Sequence, residues 1–230
     1  MARALMTRRT GLVGVWMCLQ YSRYRSQVLD EMRTILGQTE LAMAVTDVDE
    51  EYHWNHSFDR ALRVPVEGII AFDASDSIEA FARDYDRLAP STPFVSMGAY
   101  WSESKSYVGV DLRSGAEDAM DHLISTGRQR IAYMAPFNSD LIAAGPRYAA
   151  YTQRVIDAGF KPMTIPTRST TLADVKEALA DALGKPESPD AILCMNDDLA
   201  IAATFALGKL GLRPGADVAL VGFDGIEETE

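Results

Sequence analysis

Cysteine is nearly absent from this chain. There are two in 230 residues, Cys18 and Cys194, both inside apolar runs. A disulfide scaffold is excluded, and the pair reads as reduced core thiols of a cytoplasmic protein. No apolar run approaches the length of a membrane span. Histidine is as scarce, with three residues. His53 and His56 share a spacing that fits one helical face, but no third ligand of suitable spacing accompanies them, and His122 reads as structural. No metal site and no cofactor are therefore expected. Nucleotide and hydrolase signatures are also missing. There is no G-x-x-x-x-G-K-[ST] loop, no G-x-S-x-G elbow, and no G-x-G-x-x-G after the first strand. Acidic pairs are present, but they are too common to support glycosidase chemistry. Positive charge is the last deficit. Lys and Arg number 22 against 33 acids, giving a net charge of −11 and a pI of about 4.7. An acidic body does not bind phosphate backbones, so any DNA contact needs a local basic element. The one candidate is the N-terminus, where Arg3, Arg8 and Arg9 precede the first acid, Asp30.

What is present is the composition of a globular protein, 47% hydrophobic and 24% charged. Short apolar runs alternate with helical patterns almost throughout. The runs are 11–17, 41–45, 66–72, 92–97, 106–111, 130–135, 190–195 and 217–223. Between them the spacing predicts helices with Val28, Met32, Ile35 and Leu36 on one face, then Ile78, Phe81, Tyr85 and Leu88, then Ala116, Met120, Leu123 and Ile124. Further helices follow with Tyr148, Tyr151, Val155 and Ala158, with Val175, Leu179 and Leu183, and after Asn196, each stopped by a glycine. Near-continuous apolar strands alternating with helices predict an α/β fold with parallel sheets covered on both faces. The polar stretch "MGAYWSESKSY" (97–107) interrupts the rhythm, which then restarts. That predicts two lobes, 11–107 and 108–230, after a short N-terminal remnant at 1–10.

In open parallel sheets, ligands bind beyond the carboxyl ends of the strands. The polar residues following each run are Gln20 and Tyr21, Asp73 and Ser75, Asp111, Asn138 and Ser139, Asn196 and Asp197, and Asp224. They form a lining of carboxylates and amides. In Asn196-Asp197-Asp198 one residue caps the helix, and the cluster leaves room for a ligand contact. Asp224-Gly225 suits a turn or a carboxylate that accepts hydroxyl hydrogen bonds from a polyol. Arg147 opens a helix, where its charge opposes the dipole. Its fork can grip two ligand oxygens. The paired Arg8 and Arg9 before an apolar run imitate an export signal. Bulky Trp16 and Met17 before Cys18, and the lack of a small-residue cleavage site, favour a first strand instead.

Several segments in fixed order carry a family resemblance. They are "VEGIIAFD" (66–73), "VGVDLRSGAEDAMDHLISTGRQRIAYMAP" (108–136), "RYAAYTQRVIDAGF" (147–160) and "PDAILCMNDDLAIAATFALGKLGLRPGADVALVGFDGIE" (189–227). Together they resemble the effector domain of LacI/GalR-type transcriptional regulators, over most of residues 9–227. The resemblance implies two Rossmann-like lobes of the periplasmic-binding-protein-like type I fold with a small-molecule cleft between them. It implies ligand-gripping roles for Arg147, Asn196 and Asp224, with Asp111 and Tyr24 at positions where some members touch effector. Asp197 then falls to the cap. "ARALMTRRTGLVGV" resembles the end of the family's hinge helix and linker. Leu5 matches the residue that wedges into the minor groove, and Arg3, Arg8 and Arg9 suit phosphate contacts. The helix-turn-helix that precedes the hinge in the family is not in the sequence, and the family's C-terminal end is cut short after "FDGIEETE".

The expectation is a cytoplasmic, non-catalytic, homodimeric sensor that binds a sugar or similar polar metabolite. It would address operator DNA only when joined to its helix-turn-helix. An exported sugar-binding protein of a transporter is the alternative on the same fold, and a carbohydrate enzyme is a third reading.

Overall fold

The computed structural model describes residues 10–17, 22–47, 64–72, 91–98, 106–136 and 145–227. The chain divides into two compact units, Met1–Val110 and Asp111–Glu230.

The first unit holds a five-stranded parallel sheet among its described residues. Its strands are β1 (Leu12–Met17), β2 (Ala42–Asp47), β3 (Gly68–Phe72), β4 (Phe94–Gly98) and β5 (Ser106–Gly109), in the order β2-β1-β3-β4-β5. Helix α1 (Arg23–Leu36) is capped by Ser22, whose hydroxyl accepts from the Arg25 N–H. It lays Tyr24, Val28, Leu29 and Met32 against Val15, Met17 and Phe72. Ile35, read from the sequence as part of that face, is instead 62% exposed. The helix ends one residue later, at Leu36.

Residues 106–109 close this first sheet by pairing with β4. The unit boundary therefore falls at Val110/Asp111 rather than at the expected 107/108. A strand hydrogen-bonded along its length cannot be divided between two cores. The helix described below begins just after this boundary.

Among its described residues the second unit holds a four-stranded parallel sheet. Its strands are β6 (Ile131–Pro136), β7 (Met163–Thr167), β8 (Ala191–Cys194) and β9 (Ala219–Val221), in the order β7-β6-β8-β9. Four helices among the described residues cover it: α2 (Leu112–Ser125), α3 (Pro146–Asp157), α4 (Leu172–Leu183) and α5 (Asp197–Lys209). The period-two alternation of β6 and β8 decides which core each side chain joins. Ala132, Met134, Ile192 and Cys194 face a cluster with Val175, Leu179, Leu199, Ala203 and Leu207 of α4 and α5. Ile131, Tyr133, Ala191 and Leu193 face Met120, Leu123, Tyr151 and Val155 of α2 and α3. Burying each large aliphatic side chain stabilises by about 1.5–3 kcal/mol. Both faces are apolar, which is why the strands read as unbroken hydrophobic runs.

The phenol of Tyr151 ties this layer to two strands. Its oxygen donates to the Ile131 or the Met163 carbonyl, at 2.9 and 2.7 Å, and accepts from the Met163 N–H at 2.7 Å. Burial pushes its ionisation up to about 12. At the amino ends of the strands, Arg128 donates to the carbonyls of Asp190 and Gly215, both at 3.1 Å. These bonds close the end opposite the polar residues considered next.

Candidate functional site

Two neighbouring strands of the second unit, β8 and β9, end in polar sequence at the same edge of the sheet. Beyond β8 the chain runs Met195-Asn196-Asp197, and beyond β9 it runs Gly222-Phe223-Asp224-Gly225. The two ends are tied together where the Asp197 N–H donates to the Phe223 carbonyl at 2.8 Å.

Arg147 reaches this place from the first turn of α3, just after Pro146, which suits the start of a helix. A cation there opposes the helix dipole, and three partners offset that cost. Its Nη1 donates to the Met195 carbonyl at 2.7 Å. The same nitrogen lies 3.5 Å from Asp224 Oδ1, with the two side chains only 19% and 14% exposed. Its guanidinium carbon stands 5.0 Å from the centre of the Phe223 ring. The same ring also meets α2 at Gly115, where an added Cβ would stand 3.0 Å from Cζ. Phe223 thus touches both a helix backbone and the arginine. Sequence reasoning passed over Phe223. The available signal was Gly115, an unfavourable residue inside an otherwise good helix.

Asp224 has φ of 112°. Non-glycine residues with positive φ are uncommon, and such backbone costs on the order of 1–3 kcal/mol, so it persists only where surroundings enforce it. The surroundings here are Arg147 on one side and Asp197 beneath. Asp197 is 4% exposed, and its Oδ2 accepts from the Gly225 N–H at 2.7 Å and the Ile226 N–H at 3.0 Å.

Asn196, not Asp197, is the N-cap of α5, because its Oδ1 accepts from the Leu199 N–H at 3.0 Å. This corrects the sequence reading, which gave the cap to Asp197 and the ligand to Asn196. Any of the three polar residues satisfies the composition of a cap. Only the one with extended backbone one step before the helix can perform it, and that position is Asn196, with φ −154° and ψ 173°. Asn196 nonetheless keeps its Nδ2 as a donor at the strand ends.

The structure thus brings Arg147, Asn196 and Asp224 to one place. Asp111 is the N-cap of α2, the helix whose Gly115 packs against Phe223. Its Oδ1 accepts from the Arg113 and Ser114 N–H groups at 3.1 and 3.0 Å, and its Oδ2 from the Ser114 hydroxyl at 2.7 Å. Those bonds hold its carboxyl below the usual carboxylate range, the Ser114 hydroxyl contributing most. Tyr24 belongs to the first unit, where its ring packs edge-on to Phe72 with 5.9 Å between centroids. The hinge residues Arg3, Leu5, Arg8 and Arg9 lie outside the described residues, as do Cys18, Gln20, Tyr21, His53, His56, Asp73, Ser75, Asn138, Ser139 and the helix expected at 78–88. Among the described residues no group of three His, Cys, Asp or Glu side chains could hold a metal ion, and no helix is long and apolar enough to cross a membrane.

Chemically, the site offers hydrogen-bond donors from a guanidinium and an amide, and acceptors from a carboxylate. Among the described residues Arg147 lies against Asp224, with the Asp197 carboxylate beneath the same turn, so the site carries no excess of positive charge. That suits recognition of a neutral polyhydroxylated molecule better than capture of an anion.

Residues 120–230 match the periplasmic binding protein-like domain family. The HTH-type transcriptional regulator GntR of Escherichia coli is 29% identical over 119 residues, 51% of this chain and 35% of that protein. The chain therefore spans about a third of that regulator's length. Among solved structures, the lac repressor dimer bound to operator and the anti-inducer ONPF superposes with a TM-score of 0.80 at 22% identity, covering 99% of this chain and 79% of that one. A LacI-family regulator from Enterococcus faecium with bound ribose gives 0.75 at 20% identity, covering 94% and 78%. At such identities the structural likeness speaks for the fold. Residues 120–230 are thus similar to a periplasmic binding protein-like domain, and the chain shares the α/β fold of these solved structures.

Proposed function

We propose that this chain is the effector-sensing part of a LacI-type transcriptional regulator and that it binds a sugar or a similar neutral polar metabolite at the strand ends of its second unit. The observation that carries the reading is the convergence of Arg147, Asn196 and Asp224 at the ends of β8 and β9. The curated relative named above is a transcriptional regulator rather than an enzyme, and one solved neighbour holds ribose. Arg147 would grip two hydroxyl oxygens, Asp224 would accept from two hydroxyls, and the Asn196 amide would donate to a third. Tyr24 and Asp111 would add further ligand contacts. A ligand of this kind regulates by binding one conformation better than another, and it shifts the population by no more than that difference.

In the complete protein, a homodimer in the cytoplasm would present Leu5 to the minor groove and Arg3, Arg8 and Arg9 to phosphates. Sequence recognition would come from a helix-turn-helix joined before Met1. The test is a thermal-shift screen of neutral pentoses, hexoses and nucleosides against their anionic counterparts, the sugar acids and sugar phosphates. Stabilisation by neutral members is expected, and stabilisation by the acids alone would refute the assignment of ligand class.

A further inference from the structure

We infer that Asp197 is a positioning residue for this site. Its buried carboxylate holds the 222–226 turn in the conformation that presents the Asp224 side chain to Arg147. The inference rests on reading Arg147, Asn196 and Asp224 as the ligand contacts.

Three observations carry it. Asp197 is 4% exposed and its Oδ2 accepts two consecutive backbone N–H groups, from Gly225 and Ile226. Such charge-assisted bonds are about twice as strong as neutral ones. They fasten the residues immediately after Asp224, whose φ of 112° and the φ of 70° at Gly225 make a turn that an unaided chain seldom adopts. The Asp197 N–H meanwhile donates to the Phe223 carbonyl, so one residue grips the turn on both sides of Asp224. The third observation is Gly222. A Cβ there would collide with Asp197 Oδ1 and come within 3.1 Å of the Ala200 Cβ. The backbone of Gly222 therefore closes over the carboxylate, and its second oxygen is enclosed by the segment it restrains. Asp197 sits under the turn rather than facing a ligand, so its effect on binding passes through Asp224.

The test needs no ligand, so failure to find one leaves it decidable. Amide hydrogen exchange on the full 230-residue chain compares wild type with Asp197→Asn. The Gly225 and Ile226 amides should exchange on the order of tenfold faster, while those of β6 and β8 keep their protection. Coupling between Arg147 and Asp224 is then measured by an Arg147→Ala/Asp224→Asn double-mutant cycle in denaturant, with and without Asp197→Asn. It should fall roughly twofold or more when the carboxylate is removed. If Asp197→Asn does not fold, Gly222→Ala, which pushes on the same oxygen, takes its place in both measurements. Unchanged exchange at Gly225 and Ile226 overturns the inference. So does coupling that survives intact, or a loss of protection spread evenly over the unit, which is the mark of a merely structural residue.

Discussion

Arg147 carries its charge at a helix end that disfavours cations, and it does so largely out of water. A residue in that position is stable only through its partners. Arg147→Ala should therefore cost about 1–3 kcal/mol in chemical denaturation, because it removes the charge partner of the mostly buried Asp224. Arg147→Lys restores the charge but not the fork, and should recover part of the stability and none of the bidentate ligand grip. Equal stability of wild type and Arg147→Ala would mean that the guanidinium's contacts contribute nothing. Elsewhere, Arg213 pairs with Asp217 by a 2.7 Å contact to Oδ1, and its hydrogen bonds bring the Asp217 carboxyl down to about 2. A depressed carboxylate contributes stability above its unfolded pKa of about 3.9 and loses it as pH falls toward 2. Titration of Asp217 followed by NMR should show its midpoint near 2, and Arg213→Ala should move that midpoint back toward 4. Burial has the opposite effect on the Cys194 thiol and raises it to about 12. Arg147 and Asp224 were legible as candidates because they are charged groups in an apolar frame, and the structure brings the two within 3.5 Å. The division of labour between Asn196 and Asp197 was not, since it depends on which residue has the extended backbone of a cap, and composition does not encode that.

At the scale of elements, α5 separates two properties that Asn196 combines. Asn196→Ala removes the cap and should cost about 1 kcal/mol. Asn196→Asp keeps an acceptor for the Leu199 N–H but lacks the Nδ2 donor. Its stability should stay close to that of wild type while its response to ligand falls. A full ligand response in Asn196→Asp would show that Asn196 serves the helix alone. Deeper in the same helix, Leu207 is 0% exposed, and Leu207→Ala should cost about 2–5 kcal/mol. The helices were readable from their apolar spacing. Val175 and Leu179 of α4 and Tyr151 and Val155 of α3 are buried where the 3.6-residue period put them. Strand β7 was missed. Its sequence, Met-Thr-Ile-Pro-Thr, contains Pro166, alternates in burial, and lies at the edge of its sheet. Edge position is what makes a proline tolerable in a strand, and it also removes the continuous apolar signal that marked the strands with both faces covered.

For the molecule as a whole, the two parallel sheets were legible from strand–helix alternation. The unit boundary was displaced by three residues because β5 pairs with β4, a fact that pairing decides and local sequence does not. Net charge of −11 sets the expectation for DNA. The 230-residue chain should bind duplexes weakly and without sequence preference, with affinity falling as salt rises. Fluorescence anisotropy with an operator-like and a scrambled duplex checks this, and tight discrimination between the two would contradict it. The most direct test of the central claim, that Arg147 and Asp224 form the grip of a small-molecule site, is a thermal-shift titration with the best neutral sugar from the screen on wild type, Arg147→Ala and Asp224→Ala. At a hundredfold excess over Kd, wild type should gain about 2.7 kcal/mol of stability. Both variants should remain folded and gain almost nothing, whereas an undiminished gain in both would contradict the account.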